Sequence, residues 1–340
     1  MNEGNIENII KNINQNKLIV KSYNFYKDYI KHMIRTKYPS YENRIAVGLV
    51  GEGSECFIYD DDISKDHDYE ISLCMWLSDS DYKEIGDTLN NDYKKTVEDY
   101  CVKNKIMIKY LYDSLLARRR GAIRISDFYS NILGIHIDEQ KKQLTDGEYS
   151  YIEDRFFATA SNGLVFRDDM HMFSDIRDVI KKYYPKNIYI KKLIYNMHMF
   201  SQYGQSNYAR SMSRGDYVTA HICVSNCIEL CLKILCNIEK IYAPYYKWLR
   251  KKILDIGKYK NIIKLLDDLV SLPIQEKAWD NYVYDSRKIN ENDKVEKIID
   301  NIGLYISNIL YEKNYICEHY KDISFLEALI PDVQMHINNC

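Results

Sequence analysis

The sequence lacks the basic excess that is typical of proteins that bind long nucleic acids. It has 47 Lys and Arg residues against 49 Asp and Glu residues, so its formal net charge is −2. A chain this close to neutral has no general attraction for a polyanion, although a local basic patch is compatible with it. We therefore expect no long nucleic acid among its partners.

Features of secreted and membrane proteins are also absent. The nine cysteines are an odd number and form no Cys-x-x-Cys pair, which favours free thiols in a reducing compartment. The N-terminal stretch MNEGNIENIIKNINQNK is polar and has no signal-peptide core. We find no apolar run near the roughly 18 to 20 residues of a membrane helix. The sequence predicts a cytoplasmic protein without a membrane partner, and an oligomer is compatible with it.

What is present is a change of pattern along the chain. Apolar residues make up 46% of the sequence, enough for sizeable cores. Helical spacing over 5–36 and from Ser78 or Asp79 to about 103 predicts helices. Three short apolar runs are typical of strands, at 44–51, 69–77 and 121–126.

Strand signals almost vanish after about residue 148. Helical periodicity is found over 174–184, 188–205, 216–241, 253–270 and 293–311. The predicted fold class is therefore α+β. A mixed sheet with flanking helices is expected in residues 1–148, followed in 149–340 by a connecting segment and an all-α helical bundle.

The stretch GEGSECFIYDDDISKDHDYEISLCMWL, residues 51–77, carries the chemistry. Asp66 and Asp68 are two residues apart before an apolar run, so on a strand their side chains share one face. Two such carboxylates can hold a pair of Mg²⁺ ions, which clamp the attacking and leaving oxygens of a phosphoryl or nucleotidyl transfer. For Asp60, Asp61 and Asp62 we expect a solvated acidic loop.

Other residues near this stretch are suited to phosphate. Gly53 lets the backbone approach a phosphate closely, and Ser54 offers a hydroxyl and an N–H group. Lys65 and the run Arg118-Arg119-Arg120 could neutralise phosphate oxygens, since arginine forks fit them. Solvated surface is the alternative interpretation of both. From this set we predict Gly53, Ser54, Lys65 and Arg118 as nucleotide-binding residues.

The whole arrangement resembles the nucleotidyltransferase superfamily of DNA polymerase beta and the aminoglycoside nucleotidyltransferases. The shared pattern is the apolar strand Val47–Val50, the turn Gly53-Ser54, a gap over 55–65 and then Asp66-His67-Asp68. The chain is also similar to an uncharacterised bacterial nucleotidyltransferase-like family (domain of unknown function 4037). That likeness rests on GLVGEGSECFIYDDDISKDHDYE, GLVFRDDMHMFSDIRDVIKKYYP, QYGQSNYARSMSRGD and IYAPYYKWLR.

The resemblance implies a Mg²⁺-dependent enzyme that moves a nucleoside monophosphate group from a nucleoside triphosphate to an acceptor hydroxyl. ATP is the expected donor, and the acceptor is expected to be a small molecule. The family commonly has a third carboxylate on a later strand, but the candidate strand GAIRIS has no acid before Asp127. We predict Asp127 as catalytic beside Asp66 and Asp68. Asp168 or Asp169 could serve instead, or the third acid could be absent.

Two features of the second half have competing interpretations. The polar interruption GQSNYAR could hydrogen-bond a nucleotide or acceptor through Gln205, Asn207, Tyr208 and Arg210, or be a helix junction with capping groups. Cysteines 223, 227 and 231 recur every fourth residue, which favours a buried helix face over a metal site.

The alternative functions are a catalytically inactive nucleotide-binding or protein-interaction module, and a nucleotidyltransferase acting on protein or RNA. An inactive module is favoured if the third acid is absent. The acceptor and the base preference cannot be read from the sequence.

Overall fold

A computed structural model describes residues 3–65, 70–106, 119–138, 140–286 and 288–339. The chain forms two compact units, Met1–Tyr183 and Tyr184–Cys340. The first holds a β-sheet with flanking helices, and the described residues of the second contain helices and no strand. This mixture of helices and sheet confirms the predicted α+β class at that level of detail.

Four short strands form the sheet. They are β1 (Ala46–Leu49), β2 (Cys74–Leu77), β3 (Gly121–Arg124) and β4 (Leu164–Arg167). Their order is β3-β2-β1-β4. Strand β1 is antiparallel to both of its neighbours, whereas β2 and β3 are parallel.

This topology gives the sheet two distinct ends. Leu49 pairs with Leu164, Gly48 with Cys74, and Cys74 with Gly121. The last residues of β1 therefore lie at the same end of the sheet as the first residues of β2, β3 and β4. We name this the turn end, and we name the opposite end, where β2, β3 and β4 finish, the far end.

Strand β4 is a feature that sequence reasoning missed. It is four residues long and lies in the stretch predicted as a connecting segment. A Cβ atom on Gly48 would lie 2.5 Å from the Leu164 carbonyl oxygen, so only glycine lets β1 and β4 approach this closely.

The sequence placed the domain boundary near residue 148, whereas the compact units divide after Tyr183. Residues 149–183 belong to the first unit because β4 pairs with β1 and because Phe173 stacks on Trp76 of β2 with ring centroids 3.8 Å apart. Both rings are fully buried, so this contact is part of the first unit's core.

The helices of the first unit follow the predicted pattern at its start. The periodic region 5–36 forms α1 (Glu3–Lys11), α2 (Leu18–Phe25), a π-helical turn (Tyr26–Ile30) and α3 (Lys31–Lys37). Helix α4 (Asp79–Asn104) begins after Ser78, whose side chain accepts a hydrogen bond from the Asp81 amide at 3.0 Å. This confirms Ser78 as the predicted cap.

The remaining helices of the first unit are short. The α-helices are α5 (Ile125–Leu133), α6 (Asp146–Tyr151), α7 (Asp154–Ser161) and α8 (Met172–Lys181). The 3-10 helices are Glu42–Arg44, Ser54–Phe57 and Ile63–Lys65. The strands predicted over 44–51, 69–77 and 121–126 are shorter in the structure, because Ile125 and Ser126 already belong to α5 and β2 begins only at Cys74.

The second unit is built from helices. The α-helices are α9 (Lys186–Phe200), α10 (Tyr208–Ser213), α11 (Tyr217–Ile238), α12 (Tyr246–Ile256), α13 (Lys260–Ser271), α14 (Lys294–Glu312) and α15 (Ile330–Asn339). A π-helix (Ser201–Asn207) joins α9 to α10, and the 3-10 helices are Glu276–Ala278, Glu318–Tyr320 and Leu326–Leu329. The single helix predicted over 253–270 is wrong, because Gly257 ends α12 in the left-handed conformation.

Helix α11 carries the cysteine repeat. Cys223, Cys227 and Cys231 are buried free thiols, which confirms the predicted packing role. By length and composition α11 could cross a membrane, with a mean hydropathy of 1.5 over a window that is 44% buried. Polar residues interrupt the apolar run of α11, and a core helix passes the same test of length and composition.

Candidate functional site

The predicted metal ligands Asp66 and Asp68 lie outside the described residues, and so does Arg118. Lys65 is the last residue of the 3-10 helix Ile63–Lys65. Across the ranges that the structure describes, no group of three or more His, Cys, Asp or Glu side chains could hold a metal ion. The roles assigned to Asp66, Asp68, Arg118 and the Lys65 side chain therefore stay predictions.

The turn that follows β1 needs glycine at two positions. Gly51 and Gly53 both have φ of +114°, in the region that side chains rarely adopt. A Cβ atom on Gly53 would also lie 2.3 Å from the carboxylate of Glu55. The glycine that sequence reasoning assigned to phosphate contact therefore also makes room for a buried acid of its own loop.

Asn162 fixes this turn from the start of β4. The Gly51 amide donates to Asn162 Oδ1 at 2.8 Å, and Asn162 Nδ2 donates to the Gly51 carbonyl at 2.7 Å. Buried Arg177 in turn donates to the carbonyls of Asn162 and Gly163, at 2.6 and 2.8 Å. Burial lowers the pKa of Arg177 from its ordinary value. The conformation of the turn thus depends on residues more than a hundred positions later.

Arg120 is the central side chain of the turn end. It is 5% exposed, and its Nη2 atom donates to Glu55 Oε1 at 2.7 Å and to the Glu52 carbonyl at 2.9 Å. Its Nε atom donates to Ser72 Oγ at 3.3 Å, just before β2. Arg120 therefore ties the turn after β1 to the segment that enters β2.

The Cys56 thiol, which lies beside the Arg120–Glu55 pair, is made unreactive by its burial. Cys56 is fully buried and lies 3.5 Å from Arg120 Nη2. Burial raises the pKa of Cys56 well above its ordinary value, and the positive charge of Arg120 lowers it by less. Because the thiolate is the reactive form, Cys56 is not a candidate nucleophile.

A cavity of about 280 Å³ opens at the turn end. Its lining consists of Val50, Gly51, Glu52, Arg119, Arg120, Phe128, Asn131 and Ile132. The Arg119 guanidinium pairs with the Glu52 carboxylate at 2.5 Å, and these side chains are 40% and 49% exposed. Within the described part of the chain, the Ser54 hydroxyl has no hydrogen-bond partner. The turn end therefore combines a partly exposed cation with a glycine loop of positive φ, which are features of an anion-binding site.

The three candidates for a third carboxylate lie elsewhere. Asp168 and Asp169 follow β4 and Asp127 follows β3, so all three come after the far ends of their strands. Asp127 lies in the first turn of α5, the helix whose Phe128 reaches the turn-end cavity. Asp127 is exposed and faces Arg124 at 4.0 Å. The buried Asp168 accepts a hydrogen bond from the Ser174 amide at 2.7 Å, and Asp169 pairs with Arg167 at 2.5 Å. The structure does not bring the predicted catalytic residue Asp127 to the Gly53-Ser54 turn.

The prediction of a solvated acidic loop was wrong for one of its residues. Asp60 is 3% exposed, accepts a hydrogen bond from the Leu18 amide at 2.9 Å and pairs with Lys17 at 3.7 Å. It therefore stabilises the N-terminus of α2, where backbone N–H groups lack helical partners. Asp61 and Asp62 are exposed, as predicted.

The four predicted binding residues of the second unit occupy a continuous helical path, not a break between helices. Gln205 Nε2 donates to the Ser324 carbonyl at 2.7 Å, and Gln205 Oε1 accepts from the Leu326 amide at 3.1 Å. Tyr208 is fully buried and donates to Asp293 at 2.9 Å. Arg210 donates to Asn207 at 3.1 Å, and both are partly exposed. Gln205 and Tyr208 thus pack the second unit, whereas Gly53 and Ser54 belong to the first.

Comparison with known proteins gives one family match. Residues 149–249 match the family described as Domain of unknown function (DUF4037). Two of the segments that suggested such a family, 163–185 and 202–216, lie inside this range, and the Gly-Ser and Asp-x-Asp stretch lies outside it. No curated protein and no solved structure matches the chain.

Proposed function

We propose that this chain is a nucleotidyltransferase that transfers a nucleoside monophosphate group from a nucleoside triphosphate to an acceptor hydroxyl. In this reaction the acceptor oxygen forms a bond to the α-phosphorus as the bond from that phosphorus to pyrophosphate breaks. ATP is the expected donor, and a small molecule is the expected acceptor.

The observation that carries the proposal is the composition of the turn end. The Gly51–Ser54 turn leaves β1 there, and residues 70–73 lead into antiparallel β2 at the same end. The cavity at this end contains Arg119 beside the turn. The resemblance to nucleotidyltransferases rests on this sequence order of apolar strand, Gly-Ser turn, gap, Asp-x-Asp and second apolar strand.

The residues named in this proposal have separate roles. The backbone of the turn and the Ser54 hydroxyl bind phosphate oxygens, and Arg120 with Asn162 holds the turn in shape. Asp66 and Asp68 provide the oxygen donors for Mg²⁺, which neutralises charge on the phosphates when it is bound. Of the acids of the turn itself, Glu55 is paired with Arg120 and Glu52 with Arg119.

Thermal melting with each of the four nucleoside triphosphates, with and without Mg²⁺, tests nucleotide binding. A ligand that binds only the folded state raises the melting temperature. We expect a Mg²⁺-dependent rise for one nucleotide that is lost in Asp66→Asn and Asp68→Asn and kept in the matched control Asp127→Asn. If both substitutions at 66 and 68 leave binding and pyrophosphate release unchanged, the proposal fails.

A second candidate is a nucleotide-binding module without transferase activity. It is favoured by the position of Asp127, Asp168 and Asp169 at the far end, away from the turn. This candidate predicts nucleotide binding without pyrophosphate release under any acceptor. Incubation of the protein with α-labelled nucleotide and cell extract separates the candidates, because a transferase places the label on a small molecule, a protein or RNA.

A further inference from the structure

We propose that Arg119 is the side chain that contacts the phosphates in the turn-end cavity, and that Glu52 occupies its guanidinium until a polyphosphate displaces it. This inference rests on the proposed function, because it names the charged group and the competing anion of the same site. It also assigns a selectivity to the cavity, for polyphosphates over singly phosphorylated ligands.

The two arginines of the cavity differ in what they can offer a ligand. The donors of Arg120 are directed at Glu55, Ser72 and the carbonyls of Glu52 and Arg119, and its side chain is buried. Arg119 is 40% exposed, and its contact among the described residues is Glu52. An arginine has five N–H donors, so one carboxylate leaves donors of Arg119 free for a second anion.

The Glu52 carboxylate is a weak competitor by its position. An ion pair between partly exposed side chains contributes little net free energy, because water screens both charges. A phosphate group carries more charge and offers three oxygens for paired hydrogen bonds to the guanidinium. A chain of two or three phosphates therefore displaces Glu52, whereas a single phosphate ester competes less well.

Glu52 also opposes binding by repulsion, since it lines the same cavity as the arginine that it holds. Removal of its charge is therefore expected to strengthen polyphosphate binding. This is the opposite of what is expected if the glutamate were a metal ligand or a support for the turn, and the sign of the effect distinguishes these roles.

The test is calorimetric titration of inorganic tripolyphosphate into the full chain at low ionic strength without Mg²⁺. The variants are Glu52→Gln, Arg119→Gln and the double substitution. The matched control is the ion pair of Arg155 and Glu153, in which the arginine is also 40% exposed and which does not line the cavity. Melting without ligand checks that each variant is folded.

We expect Glu52→Gln to tighten binding by about fivefold and Arg119→Gln to weaken it by at least about tenfold. In the Arg119→Gln background, Glu52→Gln should have a smaller effect, because the competition for the guanidinium is gone. Substitution of Arg155 or Glu153 should leave the affinity unchanged.

Three results would overturn the inference: no binding of tripolyphosphate to the wild type, an unchanged affinity in Arg119→Gln, or weaker binding in Glu52→Gln. The titration contains no nucleotide, metal or acceptor, so it does not depend on catalysis. Binding through Arg119 without any effect of Asp66→Asn on pyrophosphate release would leave this inference standing and remove the transferase proposal. Loss of pyrophosphate release in Asp66→Asn together with an unchanged tripolyphosphate affinity in Arg119→Gln would support the transferase proposal and overturn this inference.

Discussion

At the turn end of the sheet an exposed arginine lines a cavity beside a strained glycine loop, whereas at the far end the acids are held by structural partners. Buried Asp81 pairs with Arg44, Asp168 accepts a hydrogen bond from the first turn of α8, and Asp169 pairs with Arg167. Charged side chains are present at both ends. The difference is that at the turn end Arg119 is partly exposed and lines a cavity.

This difference shows that the role of a carboxylate depends on the end of the sheet to which its strand leads. In the parallel pair β2 and β3, residues before the strands meet at one end and residues after them meet at the other. Asp127 comes after β3, at the far end of that strand, whereas residues 70–73 lead into β2 at the turn end. An acid near a strand is a candidate for the site only when the strand direction brings it there.

The largest expected effect comes from the buried pair at the turn end. Arg120→Met leaves Glu55 buried without its cation, and we expect the free energy of unfolding to fall by about 3–5 kcal/mol. Urea denaturation measures this fall. The double variant with Glu55→Gln should recover part of it, and a loss below about 1 kcal/mol would contradict the structural role of the pair.

The next largest effect is expected for the two hydrogen bonds between Asn162 and Gly51. Asn162→Ala removes both hydrogen bonds to Gly51, which we expect to cost about 1–3 kcal/mol of stability. Tripolyphosphate affinity should fall as well, because the turn loses its support. Asn162→Asp keeps the acceptor for the Gly51 amide and should be intermediate in both measurements. If stability falls while the affinity for tripolyphosphate is unchanged, the hydrogen bonds between Asn162 and Gly51 do not contribute to binding.

A far-end acid gives a smaller effect of a different kind. Asp168→Ala removes the acceptor for the Ser174 amide at the start of α8, and we expect a loss of about 1 kcal/mol in urea denaturation. The calorimetric affinity for tripolyphosphate should not change, because Asp168 lies at the other end of the sheet. A change in that affinity would break the distinction between the two ends.

The smallest effect is expected at Asp127. Its side chain is 62% exposed, and its contact with Arg124 is long, so Asp127→Asn should change stability by less than about 0.5 kcal/mol. Pyrophosphate release should match the wild type. Loss of pyrophosphate release with unchanged stability would show that Asp127 reaches the reacting groups. The prediction that Asp127 is catalytic would then be confirmed.

Local patterns explain what the sequence predicted well. The apolar run before Gly51 indicated β1, Ser78 indicated the start of α4, and the four-residue spacing of cysteines indicated a buried face. These features depend on neighbours a few positions apart. Strand β4 was missed because its apolar run, Leu164 to Phe166, is shorter than the runs at 44–51 and 69–77 that indicated β1 and β2. The role of Asp60 was missed because its partner Leu18 lies 42 positions earlier.

The site was predicted less completely for the same reason. Gly53 and Ser54 can be recognised from their spacing to the strand, but Asn162 and Arg120 act on the turn from 111 and 65 or more positions away. No local pattern indicates that an asparagine before β4 will bond to Gly51. The direction of β3, which places Asp127 at the far end, likewise follows from pairing and not from the sequence of GAIRIS.

The rates at which cysteines of the second unit react with a thiol reagent can report how often helix α11 opens. Cys223, Cys227, Cys231 and Cys236 are buried, and burial raises the pKa of Cys227 well above its ordinary value, whereas Cys317 is exposed. Partial desolvation and the neighbouring Asp332 also raise the pKa of Cys317, but its exposure lets a thiol reagent label it before the helix cysteines, which react only as α11 is uncovered. The delay between the two phases would report how often this helix leaves its packed state.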